Sequence, residues 1–128
     1  MYTSIILEID DSKSTGEIQE KFSLCYPLLK LQFCNKKHGW QQVCADKEII
    51  QDDICVGDIR KNHEPGVIEM KSWQQVGRIE KEFYTKFGLS VQICYKSGRH
   101  WIQTGKSDNM TLKSLMRKAS EQLNWVLL

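Results

Sequence analysis

A chain of 128 residues with a formal net charge of +2 suits one domain and carries no general push toward nucleic acid or a membrane surface. At this size a core can form without metal or disulfide staples, and no apolar run reaches the length of a membrane helix. The five cysteines, Cys25, Cys34, Cys44, Cys55 and Cys94, are odd in number and hold no CxxC pair. That usage points to a reducing, cytoplasmic setting in which most thiols act as small buried hydrophobes.

Met1 to Asp10 has no basic segment ahead of an apolar run, so it reads as a first strand rather than a signal peptide. Ile5, Leu7 and Ile9 alternate there with Ser4, Ile6 and Glu8. Ser14 and Glu17 have capping-box spacing, and Ile18, Phe22 and Cys25 or Tyr26 give the following helix an apolar face. Pro27 ends it. Leu29, Leu31 and Phe33 mark a second strand, 36–39 a turn, and 40–43 a third strand. Residues 46–58 fit neither period cleanly and are read as a short helix and a short strand. The polar run 60–65 is the expected linker.

The grammar then repeats. Val67 to Met70 reads as a strand, and Ser72 with Gln75 as a second capping box. Val76, Ile79, Phe83 and Phe87 line a helix that Gly88 stops. Leu89, Val91 and Ile93 alternate as a strand, Ser97-Gly98 is a turn, and His100 to Thr104 a further strand. Leu112, Leu115, Met116, Ala119 and Leu123 fall on one face of a C-terminal helix. Laid on one another, the halves match Glu8 with Glu69, Gly16 with Gly77, Ile18 with Ile79 and Phe22 with Phe83. After one dropped residue, Leu31 meets Val91, Gln32 meets Gln92, Cys34 meets Cys94 and Lys36 meets Lys96; Trp40 then falls on Trp101. Agreement at Gly, Gln, Lys and Trp argues for duplication, since two amphipathic helices would share only apolar positions.

The expected fold is therefore α+β: a two-layer sandwich with a mixed or antiparallel sheet and helices on one face. It would be built from two strand-helix-strand-strand units, at about 4–43 and 66–104. Residues 44–65 connect them, and a helix at about 109–123 closes a single domain. The string Phe87-Gly88-Leu89-Ser90-Val91-Gln92, then Lys96-Ser97-Gly98, Trp101, Asp108 and Thr111-Leu112 resembles a small uncharacterised bacterial α+β family. The resemblance covers roughly 76–112 and implies no activity.

Candidate chemistry is sparse. Cys34, His38, Cys44, Cys55 and His63 are metal-capable, but only Cys34 and His38 have close ligand spacing, so neither a metal nor a cofactor is expected. Cys94, His100 and Asp108 lack the surroundings of a known cysteine nucleophile. The pairs Asp10-Asp11 and Asp52-Asp53 suit caps and turns better than acid–base work, because strand neighbours point to opposite faces. No phosphate-binding glycine loop is present. What remains is a basic, Trp-containing pattern in two hairpins: Lys36, Lys37 and Trp40 in one, and Lys96, Arg99, His100, Trp101 and Lys106 in the other. The leading expectation is a non-enzymatic protein-interaction or regulatory module with an unidentified protein partner and no membrane. Trp73 and Trp125, beside polar helix ends, fit an interface. The alternative is nucleic-acid binding through the two hairpins, and an enzyme ranks last.

Overall fold

The structure, a computed structural model, describes residues 4–35, 43–60, 64–105 and 108–127. Strand β1 (Ser4–Ile9) buries Ile5, Leu7 and Ile9, as its alternation requires. Helix α1 (Thr15–Cys25) opens on a true capping box: Glu17 N donates to Ser14 Oγ at 3.1 Å and Ser14 N to Glu17 Oε1 at 3.2 Å. Ile18 and Phe22 face inward, and β2 (Leu29–Cys34) follows. Residues 36–42, including most of the expected third strand, lie outside the described residues; Val43 is exposed and in no strand.

Strand β3 (Gly66–Lys71) leads to helix α2 (Val76–Phe87), whose buried face contains Val76, Ile79, Phe83 and Phe87. Gly88 ends it with φ 65°, a left-handed conformation that costs glycine little, and Leu89 N donates back to Phe83 O at 3.3 Å. The Ser72–Gln75 capping box does not form. Gln75 is the N-cap without a side-chain bond, and Gln74 Oε1 instead accepts from Lys71 N at 2.8 Å. Strands β4 (Ser90–Ser97) and β5 (His100–Gln103) form a hairpin whose turn holds Gly98 at φ 61°. Helix α3 (Leu112–Leu127) begins later and ends later than expected.

The fold is α+β, but the single sheet expected from the sequence is corrected to two, both antiparallel: β1–β3, and β2–β4–β5. The reason is that each half places its first strand in one sheet and its later strand or strands in the other. Leu7 stands opposite Ile68 in the first, and Gln32 opposite Gln92 in the second. These are the residues that the sequence comparison equates. The inward faces share one core, with Phe22, Tyr26, Phe33 and Phe83 among its largest fully buried side chains.

A second correspondence lies at the helix N-termini. A crossing segment braces α1: Thr15 N donates to Ile54 O at 2.8 Å, Val56 N to Lys13 O at 2.8 Å, and Gly57 N to Asp11 O at 3.2 Å. Another braces α2: Val76 N donates to Met110 O at 2.8 Å, Leu112 N to Gln74 O at 3.1 Å, and Lys113 N to Ser72 O at 2.8 Å. Ser14 bridges Cys55 as Gln75 bridges Thr111. The braces satisfy N–H groups that a helix start leaves without intrahelical partners.

The ambiguous stretch resolves into 3-10 turns at Asp46–Glu48 and Val56–Asp58 around the first brace, with an isolated bridge between Cys34 and Ile49. The short strand expected there is absent among the described residues. The linker expectation also needs correction at its first residue. Arg60 is buried, and its Nε donates to Asp11 Oδ1 at 2.9 Å. Residues 61–63 lie outside the described set.

Candidate functional site

Of the basic hairpin residues, Lys36, Lys37, Trp40 and Lys106 lie outside the described residues. The other four sit together at the tip of β4–β5: Lys96 pairs with Trp101 across the ladder, Arg99 lies in the turn, and His100 follows it. The half-exposed Trp101 ring lies 4.9 Å from Lys96 Nζ and 5.8 Å from Lys30 Nζ. Lys30 reaches it from β2, so the basic cluster spans three strands. Two ammonium groups on one indole is a cation–π arrangement that shields the ring as well as charging it. The sequence pattern missed Lys30, which is remote along the chain and comes close only through the β2–β4 pairing.

The outward face of β1–β3 carries the other exposed feature. Ile6 is 59% and Val67 56% exposed, and they lie diagonally across the ladder, flanked by Glu8 and Glu69. Trp73, 61% exposed, follows at the end of β3 with Lys71 Nζ 5.8 Å from its ring. The signal for this face was present: Ile6 and Val67 are apolar residues on the polar phase of their strands. Of the tryptophans first assigned to an interface, Trp73 is exposed, and the surroundings of Trp125 lie outside the described side chains.

A buried polar cluster sits where α2, β4 and the start of α3 meet. Glu80 Oε2 accepts from Ile93 N at 2.7 Å and from Gln92 Nε2 at 3.1 Å. Gln92 Nε2 also reaches Thr104 Oγ1 at 3.1 Å, and Thr104 Oγ1 donates to Ile93 O at 2.7 Å. Beyond β5, these groups take over the edge of β4 that the short strand leaves uncovered. Burial pushes the Glu80 carboxyl well above its usual range; the Ile93 N–H opposes this, while the charge and hydrogen bond of buried Asp108 add to it. Periodicity placed none of these polar residues in the core.

The cysteine reading changes in two ways. Cys34 and Cys44 form a disulfide, so two of the five thiols expected to be unpaired are joined. Buried Cys94 has its pKa pushed up to about 12, chiefly by burial, with Lys30 lowering it and Glu80 raising it. His100 pairs with Ser97 rather than with Cys94, whose strand partner is Gln103. Cys94 is thus a hindered thiol without the depressed pKa a nucleophile requires. Among the described residues no three His, Cys, Asp or Glu side chains gather as a metal site, and no helix is long and apolar enough to cross a membrane. The acidic pairs act as caps and turns: Asp53 Oδ1 accepts from Gly16 N at 2.8 Å, and Asp10 Oδ1 from Ser12 N at 2.8 Å. No protein-family model, curated protein or solved structure matches this chain.

Proposed function

We propose that the chain is a non-enzymatic protein-interaction or regulatory module of bacterial origin, and that the outward β1–β3 face is its contact surface. The observation that carries this is the exposure of Ile6 and Val67 diagonally across the ladder, next to charged groups that define an edge. Apolar side chains gathered on an otherwise polar sheet face gain free energy when a partner covers them. An Ile6→Lys/Val67→Lys variant should melt where the unchanged protein does, because both positions face solvent. Affinity capture from the native host, run with both proteins, should show partners lost from the variant alone. Identical partners on the two baits would remove this face as the contact.

The module is read as a duplication of one strand–helix–strand unit with a brace across the helix start. Two things support the reading. Both inter-half ladders are centred on equivalent residues, Leu7 with Ile68 and Gln32 with Gln92. The brace bonds also fall at matching positions, and their sequences agree at Ile54 and Met110, Val56 and Leu112, and Ile59 and Leu115.

The second reading, nucleic-acid binding, draws on Lys30 joining Lys96, Arg99 and Trp101 in one basic cluster. Cytoplasmic placement rests on the cysteine count alone. The Cys34–Cys44 bond weighs against it, because disulfides persist mainly in oxidising compartments.

A further inference from the structure

We propose that the outer edge of β1 pairs with β1 of a second copy of this chain. The two strands run antiparallel about a two-fold axis at Ile6 and join two β1–β3 ladders into one four-stranded sheet. The pairing uses the strand edge rather than the outward face, so it stands whether or not that face takes another protein.

Strand β1 has one ladder partner, β3, and among the described residues its other edge makes no backbone hydrogen bond. Such an edge presents a row of N–H and C=O groups that templates another strand. The contrast with β2 is direct. Its outer carbonyls at Leu29, Leu31 and Phe33 accept from Ser23 Oγ at 3.2 Å, Gln19 Nε2 at 2.9 Å and Ile50 N at 2.9 Å. No described group covers β1 in this way. The two edges of the β1–β3 sheet also differ in composition. β3 begins on Gly66 and carries Glu69 and Lys71, and Gln74 Oε1 accepts from Lys71 N at 2.8 Å. β1 reads Ser4-Ile5-Ile6-Leu7-Glu8-Ile9: mostly aliphatic, with a single charge and neither glycine nor proline. Edge charges are the usual device against pairing, and segments like β1 favour it.

The strand is also self-complementary. Residues directly opposite across a ladder share a face, so a two-fold self-pairing is centred on a residue. Centring on Glu8 would set two carboxylates together, and centring on Leu7 would set Glu8 against the partner's Ile6. Centring on Ile6 sets Ile6 beside its own copy, Ser4 beside the partner's Glu8, and Ile5 beside the partner's Leu7. Lys71 is the ladder partner of Ser4. It therefore lies two strand spacings, about 10 Å, from the partner's Glu8, within reach of the two long side chains across the small serine.

A second feature lies along the same edge. Glu17 and Lys21 of α1 flank Leu7 and Glu8 at a small groove that no described residue of β3 lines. Leu24 continues their stripe at helical spacing and is 70% exposed. The two-fold turns the two α1 stripes toward one another over the joined sheet and places Leu24 where the partner's helix covers it.

The test is sedimentation equilibrium of the full chain over a wide concentration range. It should show a reversible dimer at twice the 14.9 kDa of the chain. Ser4→Glu sets a carboxylate against the partner's Glu8 and should weaken the dimer by about tenfold, since the contact occurs twice. Adding Glu8→Lys to that variant should restore it, which a merely unfolded protein would not do. Val67→Lys, on the outward face of β3, should leave the dimer intact. In a Cys55→Ser background, Ile6→Cys should form an intermolecular disulfide on mild oxidation and Glu8→Cys should not. A monomer at every concentration, a dimer untouched by Ser4→Glu or abolished by Val67→Lys, or equal cross-linking at the two positions would overturn the proposal.

Discussion

Gln32 stands directly opposite Gln92 across the β2–β4 ladder, yet the two amides have different surroundings. Gln92 is fully buried and bonds to Glu80 and Thr104, whereas half-buried Gln32 accepts from the Cys94 thiol at 3.7 Å. The difference arises from Glu80, whose counterpart by the alignment of the two helices is Gln19, a neutral side chain that donates to Leu31 O at 2.9 Å.

Glu80→Gln should therefore stabilise the protein in a pH-dependent way. The folded state holds on to a carboxyl proton that the unfolded chain releases near pH 4.5, so this group's contribution is intact below that value and is lost as pH rises toward the folded pKa. The groups facing it are Asp108, Gln92, Thr104 and the Ile93 amide, with the Cys94 thiol near enough to feel its charge. A glutamine can accept from Ile93 N and Gln92 and donate to Asp108. Urea unfolding at pH 4 and pH 8 should show the two proteins close together in acid and the variant ahead at pH 8. A gap independent of pH would show that the carboxyl proton does not matter.

Phe22 and Phe83 are both fully buried within the shared core. Each Phe→Ala change should cost about 3–5 kcal/mol. Total stability of a domain is only about 5–15 kcal/mol, so the double variant should not fold. Thermal melts followed by circular dichroism would check this. A single variant that melts within a few degrees of the unchanged protein would contradict the packing.

Fragments 1–60 and 64–128 should each be largely unstructured alone and regain helical signal when mixed. Each contributes one strand to β1–β3 and one to β2–β4, so neither has its main ladder partners alone. A folded first fragment would refute this.

Thiol labelling without reductant should modify exposed Cys55 first, half-buried Cys25 more slowly, and Cys94 only on unfolding. Cys34 and Cys44 should label only after reduction. Five labelled thiols in untreated native protein would be incompatible with the bond.

For the nucleic-acid reading, retention on single-stranded RNA at low salt should fall steeply with salt and drop in a Lys96→Glu/Arg99→Glu variant. Trp101→Ala should cost about 1–3 kcal/mol of binding if the ring stacks on a base. Equal retention by all three proteins, or none, would remove this reading.

Local grammar was legible and long-range pairing was not. The Ser14–Glu17 box, the Gly88 stop and the strand alternation each depend on residues within a few positions of one another. The Ser72–Gln75 pattern failed because the backbone around it engages residues 112–113 instead. The two braces escaped comparison because their spacing along the chain is shorter than that of the strands and helices they support. Arg60 looked like linker because its neighbours are polar, while its partners, Asp11 and Phe87, lie far away in sequence. Ile6 and Val67 were readable in principle, as apolar residues on the wrong phase.

The crossed pairing of the two halves has a consequence for synthesis. The chain leaves the ribosome N-terminus first, so β1 and β2 emerge while β3 and β4 are still unmade. Leu29, Leu31 and Phe33 cannot find their ladder until residues 91–95 follow. For about half of translation the nascent chain shows bare strand edges and an apolar helix face, the features that invite aggregation and chaperone capture. Slowing elongation within the first half should therefore lower the soluble yield, and slowing it after β4 should not.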